Sequence, residues 1–270
     1  MRVLVTGGGG SEGKAIGIIL AKEADVEKII VVDRSERRAA RAVQEIGAKA
    51  EAKIGSIDDH ASMVNLMQEA DMVVNAVGPF YRHSTKVLKA AIEAKKNYVD
   101  ICDDYDATIA LLALDGEAKE ADITALINMG SSPGVVNVLA GYGADKLDQT
   151  DEINISWCVH YGAGEGGAGA GLHGYHMING NIPQFLNGKL VNVPGGSGKE
   201  IVEFPGCGTT ECSYVGHPEP VTLPRFIRGV KTVTNRGAVL PEWVWQNELR
   251  LAEMDFTREE MTRIPGPLLF

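Results

Sequence analysis

A chain of 270 residues, 44 % of them hydrophobic and 23 % charged, has apolar material for one large core or two modest ones. Its net charge of −10 argues against nucleic acid as a partner, and no run of about 18 apolar residues exists to span a membrane. Four scattered cysteines (Cys102, Cys158, Cys207, Cys212) and the lack of a signal peptide before the first strand make a reducing cytoplasm the expected location.

The chain opens with a β-branched run, Arg2–Thr6, which breaks into Gly7-Gly8-Gly9-Gly10-Ser11-Glu12-Gly13 and then into a helical pattern through Leu20. A strand, a glycine turn and a helix N-terminus in succession suit a diphosphate. The glycines let backbone approach the anion, and the free N–H groups of the first helical turn stabilise its charge. Gly8, Gly10 and Gly13 read as G-x-G-x-x-G, whereas Gly7, Gly9 and Gly13 read as a variant one residue longer. Both readings stand on sequence alone. With Ser11 and Glu12, these glycines are the expected pyrophosphate loop.

A second strand, Lys28–Asp33, ends in an acid twenty residues after Gly13. Asp33 there accepts hydrogen bonds from ribose hydroxyls and repels a 2′-phosphate, which favours NAD. Arg34 beside it stacks on adenine or pairs with a 2′-phosphate, which keeps NADP open. Residues 36–46 read as a helix, 51–54 as a strand, and Asp58-Asp59 as the opening of a helix to Met67. Residues 70–77 read as a strand, 86–94 as a helix, 98–101 as a strand, 107–121 as a helix and 123–128 as a sixth strand. Such alternation predicts a doubly wound parallel sheet, with ligands at the carboxyl ends of its strands. Ser56, Ile57 and Asp58 after the third strand are expected near adenine. Ala76, Val77, Gly78 and Pro79 after the fourth are expected against the cofactor.

From Asp151 the pattern changes. Residues 152–160 alternate apolar and polar as a half-buried antiparallel strand does. Gly162–Gly171, with six glycines in ten residues, is placed like an active-site loop. Residues 172–178 read as a short helix, 190–193, 199–204 and 231–234 as strands, 243–254 as a helix and 258–263 as a further turn. The expected organisation is a nucleotide-binding domain over 1–150 and a smaller α+β domain over 151–270. The second domain supplies substrate contacts and a homodimer or higher oligomer interface. The apolar end, Ile264–Phe270, reads as that of a truncated chain.

Val77-Gly-Pro-Phe80, residues 87–94, Tyr98-Val-Asp100 and Gly130-x-x-Pro-Gly-x-x-Asn137 resemble the saccharopine dehydrogenase-like family. Residues 139–147 are similar to its lysine 6-dehydrogenase and saccharopine reductase branch, and residues 208–214 and 222–225 are further matches. The glycine loop is one residue longer than in those relatives. The resemblance implies an NAD(P)-dependent oxidoreductase that oxidises an amino-acid C–N bond to an imine or reduces the imine back.

That chemistry needs a proton carrier and a carboxylate clamp beside the nicotinamide. His173 or His176, with Tyr175 nearby, is the expected base, although the two histidines could equally lie one turn apart on a surface helix. Arg225 is the candidate carboxylate clamp, and Asp100, Asp103 and Asp104 are candidates to hold an amine. Alternatives are a short-chain dehydrogenase using Tyr142-x-x-x-Lys146 and a non-catalytic dinucleotide sensor. No metal is expected. Cys207-x-x-x-x-Cys212 lacks tight spacing and a second ligand pair, and His173-x-x-His176 lacks the adjacent glutamate of a metalloprotease.

Overall fold

The computed structural model describes residues 1–160 and 168–254, without the side chains of 168–171 and 253. The chain divides into two compact units. The first is Met1–Cys102 with Asp106–Gly130, and the second takes Asp103–Tyr105 and the chain from Ser131 onward.

In the first unit the strands are β1 (Arg2–Thr6), β2 (Lys28–Asp33), β3 (Ala50–Ile54), β4 (Met72–Asn75), β5 (Asn97–Asp100) and β6 (Ala125–Leu126). They form one parallel sheet in the order β3-β2-β1-β4-β5-β6. The order reverses between β1 and β4, the point at which open α/β sheets bind ligands. Alternation along β1 and β2 explains the double burial. Val3, Val5, Ile29 and Val31 enter one core, while Leu4, Ile30 and Val32 enter the core of the opposite face. Each such buried aliphatic side chain contributes about 1.5–3 kcal/mol relative to exposure.

Helices α1 (Ser11–Leu20), α2 (Glu36–Ile46), α3 (His60–Gln68), α4 (Phe80–Glu93), α5 (Tyr105–Leu112) and α6 (Asp115–Glu120) complete the alternation. Two of them start as the sequence predicts: Ser35 caps α2 through the Arg38 N–H, and Asp59 caps α3 through the Ser62 N–H. Differences from expectation are local. The helix expected over 107–121 breaks into α5 and α6, and the helix expected from residue 86 already begins at Phe80.

In the second unit, helix α7 (Val136–Ala144) packs Val136 and Ala140 onto the cluster of Leu223 and Val233. The strands are β7 (Glu152–His160), β8 (Asn181–Leu186), β9 (Lys189–Pro194), β10 (Glu200–Phe204), β11 (Gly208–Tyr214) and β12 (Thr232–Leu240). Helices α8 (Ala168–Ile178), α9 (Glu219–Phe226) and α10 (Glu242–Glu253) complete it. The sheet runs β10-β11-β12-β8-β9, with β7 also on β12. One expectation is corrected: β7 pairs parallel to β12, from Glu152↔Thr232 to His160↔Leu240, and not antiparallel. Period-two patterning reports half-burial and says nothing of a neighbour's direction. The glycine stretch expected as an active-site loop lies outside the described residues as far as Gly167, and from Ala168 it is helix. The turn at 258–263 and the terminus at 264–270 also lie outside the described residues. Among the described residues, no helix is long and apolar enough to cross a membrane.

Candidate functional site

In the first unit, the loop between β1 and α1 shows which glycines have no room for a side chain. Gly7 has φ of +69°, and a Cβ at Gly7 would meet the Ala76 carbonyl oxygen at 2.8 Å. A Cβ on Gly9 would fall 2.7 Å from Asp33 Oδ2, and one on Gly13 only 2.4 Å from the Gly7 carbonyl oxygen. Gly10 has more room, with its nearest neighbour at 3.2 Å. The demands fall on the longer frame, Gly7, Gly9 and Gly13, with Gly8 also pressed against Val31.

No side chain caps α1, and Lys14 N–H donates to the Gly10 carbonyl as the helix begins. The N–H groups of the first turn are thereby left to a ligand, and a crowded glycine cradle before an uncapped helix fits a pyrophosphate. Ser11 and Glu12 are exposed on that turn. Asp33 at the tip of β2 is buried, and its Oδ1 accepts from the Ser35 N–H (2.8 Å) and from Arg38 Nη2 (2.9 Å). Arg34 is exposed. Ser56 and Ile57 are half-buried after β3, while the exposed Asp58 pairs with Lys86 at 2.6 Å.

Ala76 and Val77 are half-buried beyond β4, with Gly78 and Pro79 leading into α4. They rest on a buried polar chain across the strand ends. Thr6 donates to Asn75 Oδ1, Asn75 Nδ2 donates to the Tyr98 hydroxyl, and that hydroxyl donates to Asp100 Oδ2 at 2.9 Å. Asp100 Oδ1 accepts from the N–H groups of Cys102 and Asn128. This carboxylate ties β5 to the end of β6.

The second unit gathers a different set. His173 on α8 places Nδ1 at 2.8 Å from Asp104 Oδ1 and Nε2 at 3.4 Å from Asp103 Oδ2. Burial disfavours the imidazolium, but the carboxylates of Asp103, Asp104 and Glu248 outweigh it and hold the His173 pKa up to about 9. Burial in turn raises the Asp103 carboxyl, against the pull of His173. Glu248, buried on α10, is raised by burial to about 7 with His173 opposing. Its Oε2 and Asp103 Oδ1 are buried without a hydrogen-bond partner among the described residues. His217 packs its ring edge-on against His173, with centroids 5.8 Å apart. Its Nδ1 lies 2.9 Å from Glu219 Oε2, and Ser132 donates a short hydrogen bond to Glu219 Oε1. Burial disfavours the Glu219 carboxylate, yet His217 and Ser132 hold its pKa below the usual value.

The structure therefore brings His173 together with Asp103 and Asp104. His176 is buried and stacks on Tyr105 at 5.3 Å, and Tyr175 is buried beside it in sequence. Arg225 is exposed in the last turn of α9 and forms no ion pair among the described residues. Tyr142 is exposed with Lys146 Nζ 4.9 Å over its ring, a surface cation–π pair rather than an inward-facing dyad. Sequence reasoning missed His217, Glu219 and Glu248. The nearest signal was Gly216-His-Pro-Glu-Pro220, where two prolines flank an acid two residues from a histidine.

Residues 3–126 match the family model described as saccharopine dehydrogenase NADP binding domain. A carboxynorspermidine synthase of Vibrio cholerae serotype O1 is 28% identical over 268 residues, covering 84% of this chain and 60% of the relative. Another from Vibrio alginolyticus is 30% identical over 200 residues, covering 66% of this chain and 46% of the relative. The chain thus spans only about half of the curated relatives it matches. An apo saccharopine dehydrogenase (L-Glu forming) from Saccharomyces cerevisiae shares the fold, with a TM-score of 0.65 at 17% identity over 87% of this chain and 54% of that one.

Proposed function

We propose that this chain is an NAD(P)-dependent oxidoreductase acting on a C–N bond, a reading supported by the match of residues 3–126 to the saccharopine dehydrogenase NADP binding domain. The reaction is reduction of the imine formed by an amine and a carbonyl compound, or the reverse oxidation of the amine. The observation that carries the reading is the His173 cluster, in which a protonated imidazole sits between Asp103 and Asp104 with the buried Glu248 acting on it.

A bound reduced nicotinamide supplies the hydride that goes to the imine carbon. The chain's own groups manage charge and protons. The partnerless oxygens of Asp103 and Glu248 favour a cationic nitrogen. His173 gives its proton to the imine nitrogen, so hydride and proton together convert C=N to CH–NH; in reverse, neutral His173 takes that proton back. The relatives named carboxynorspermidine synthase support a polyamine or carboxylated amine as the substrate class.

On the nucleotide side, Arg38 neutralises Asp33 and Arg34 lies exposed next to it. Cancelling the repulsion of Asp33 suits a 2′-phosphate, which supports NADPH over the NADH expected from Asp33 alone. The test is fluorescence titration with both reduced nucleotides, then turnover of amine–carbonyl pairs by wild type and His173→Gln. NADPH-dependent turnover reduced at least about 100-fold in the variant supports the proposal. Tight binding without turnover of any amine favours a dinucleotide sensor instead.

A further inference from the structure

Two imidazoles in the second unit share an arrangement that proton transfer alone does not require. In each ring Nδ1 is fixed on a buried carboxylate: His173 on Asp104 at 2.8 Å and His217 on Glu219 at 2.9 Å. Such bonds fix ring orientation and leave Nε2 as the ligand atom, as outer-shell carboxylates do for metal-bound histidines. One potential ligand atom from each of Asp103, His173 and His217 lies within 4.8 Å of the others. A tetrahedral ion with bonds of about 2.1 Å keeps its donors about 3.4 Å apart, so modest side-chain rotation closes the set.

Two further oxygens ask for a cation. Asp103 Oδ1 and Glu248 Oε2 are buried without hydrogen-bond partners among the described residues, and Glu248 is 6% exposed. An unpartnered buried carboxylate is costly unless a positive charge meets it.

We infer that Asp103, His173 and His217 form a site for one first-row transition-metal dication, with Asp104 and Glu219 orienting the two imidazoles. Two nitrogens and a carboxylate oxygen suit zinc, cobalt or iron(II) rather than magnesium or calcium. An ion there holds the His173 nitrogen that faces Asp103, so loading opposes proton transfer by that ring. Metal binding is measured without nucleotide or substrate, and turnover with metal-free protein, so either can fail without the other.

The experiment titrates tag-free, chelator-stripped protein with Co²⁺, followed by visible d–d absorption and calorimetry. The expected result is one ion per chain with nitrogen and oxygen ligation. Affinity should fall at least about 100-fold in His217→Gln and in Asp103→Asn, and about 10–100-fold in Glu219→Gln. Far-UV circular dichroism reports whether each variant folds. The half-buried Asp103→Asn keeps the test decisive should a His217 variant unfold. No binding overturns the inference. So does binding unchanged in folded Asp103→Asn, or a thiolate charge-transfer band that moves the ion to cysteine.

Discussion

At neutral pH the His173 imidazole keeps its proton, because three carboxylates outweigh the burial that would remove it. For imine reduction by metal-free protein, kcat/KM should hold through pH 8 and fall as pH rises through about 9, and His173→Gln should lose that limb. The same ionisations act on stability. His173 has a folded pKa above its unfolded value, so its contribution is complete below pH 6.5 and is lost by about 9. Glu248 is raised from 4.5 to about 7, so its ionised form weighs against the fold, and that penalty grows between those values. Both make the fold less stable as pH rises. Glu248→Gln should therefore raise stability by about 2 kcal/mol at pH 8 and change it little at pH 4.5, measured by urea melts. An equal effect at both pH values would show that Glu248 is not buried as a charge. His173, Asp103 and Asp104 were legible as polar residues in suggestive places. His217, Glu219 and Glu248 were not, because their meeting depends on β11, α9 and α10, which no local spacing announces.

Two glycines of α1 separate a backbone demand from a packing demand. A methyl on Gly13 meets the Gly7 carbonyl oxygen at 2.4 Å, and backbone cannot yield without moving the loop between β1 and α1. A methyl on Gly17 meets Ile46 Cδ1 at 2.5 Å, the tip of a side chain that can turn. Gly13→Ala should lower NADPH affinity at least about 30-fold, while Gly17→Ala costs about 1–3 kcal/mol of stability with affinity unchanged, by fluorescence titration and denaturant melts. Here sequence served well: β1, the glycine turn, α1 and β2 follow from local pattern, because parallel strands buried on both faces are uniformly apolar. It served less well for β8, β11 and α9, which were not expected as regular elements. Asn181–Leu186 contains a proline, Gly208–Tyr214 is mostly polar, and Pro224 lies inside α9. Pairing with neighbours, not local propensity, makes these segments regular.

At the scale of the molecule, two units with separate cores account for both the alternating first half and the mixed second half. NADPH binding to the first unit should raise its unfolding temperature, with a gain of about 2.7 kcal/mol at a hundredfold excess over Kd. Calorimetry should then show one transition moving and the other following only as far as the units are coupled. The change of hydrophobic period along the chain predicts two domains, 1–150 and 151–270; the compact units divide at Gly130 and Ser131, and the second is not the smaller. That Asp103–Tyr105 belong to the second unit was not legible, since three residues at the start of α5 and just before it carry no pattern of their own.

Imine reduction is tested by mixing purified protein and NADPH with amine–carbonyl pairs, diamines and polyamines among them, while following nucleotide absorbance and identifying the product by mass spectrometry. The expected result is NADPH oxidation matched one for one by a reduced C–N product, and its near-complete loss in His173→Gln. NADPH bound but never consumed with any pair, or consumption unchanged in that variant, would contradict it.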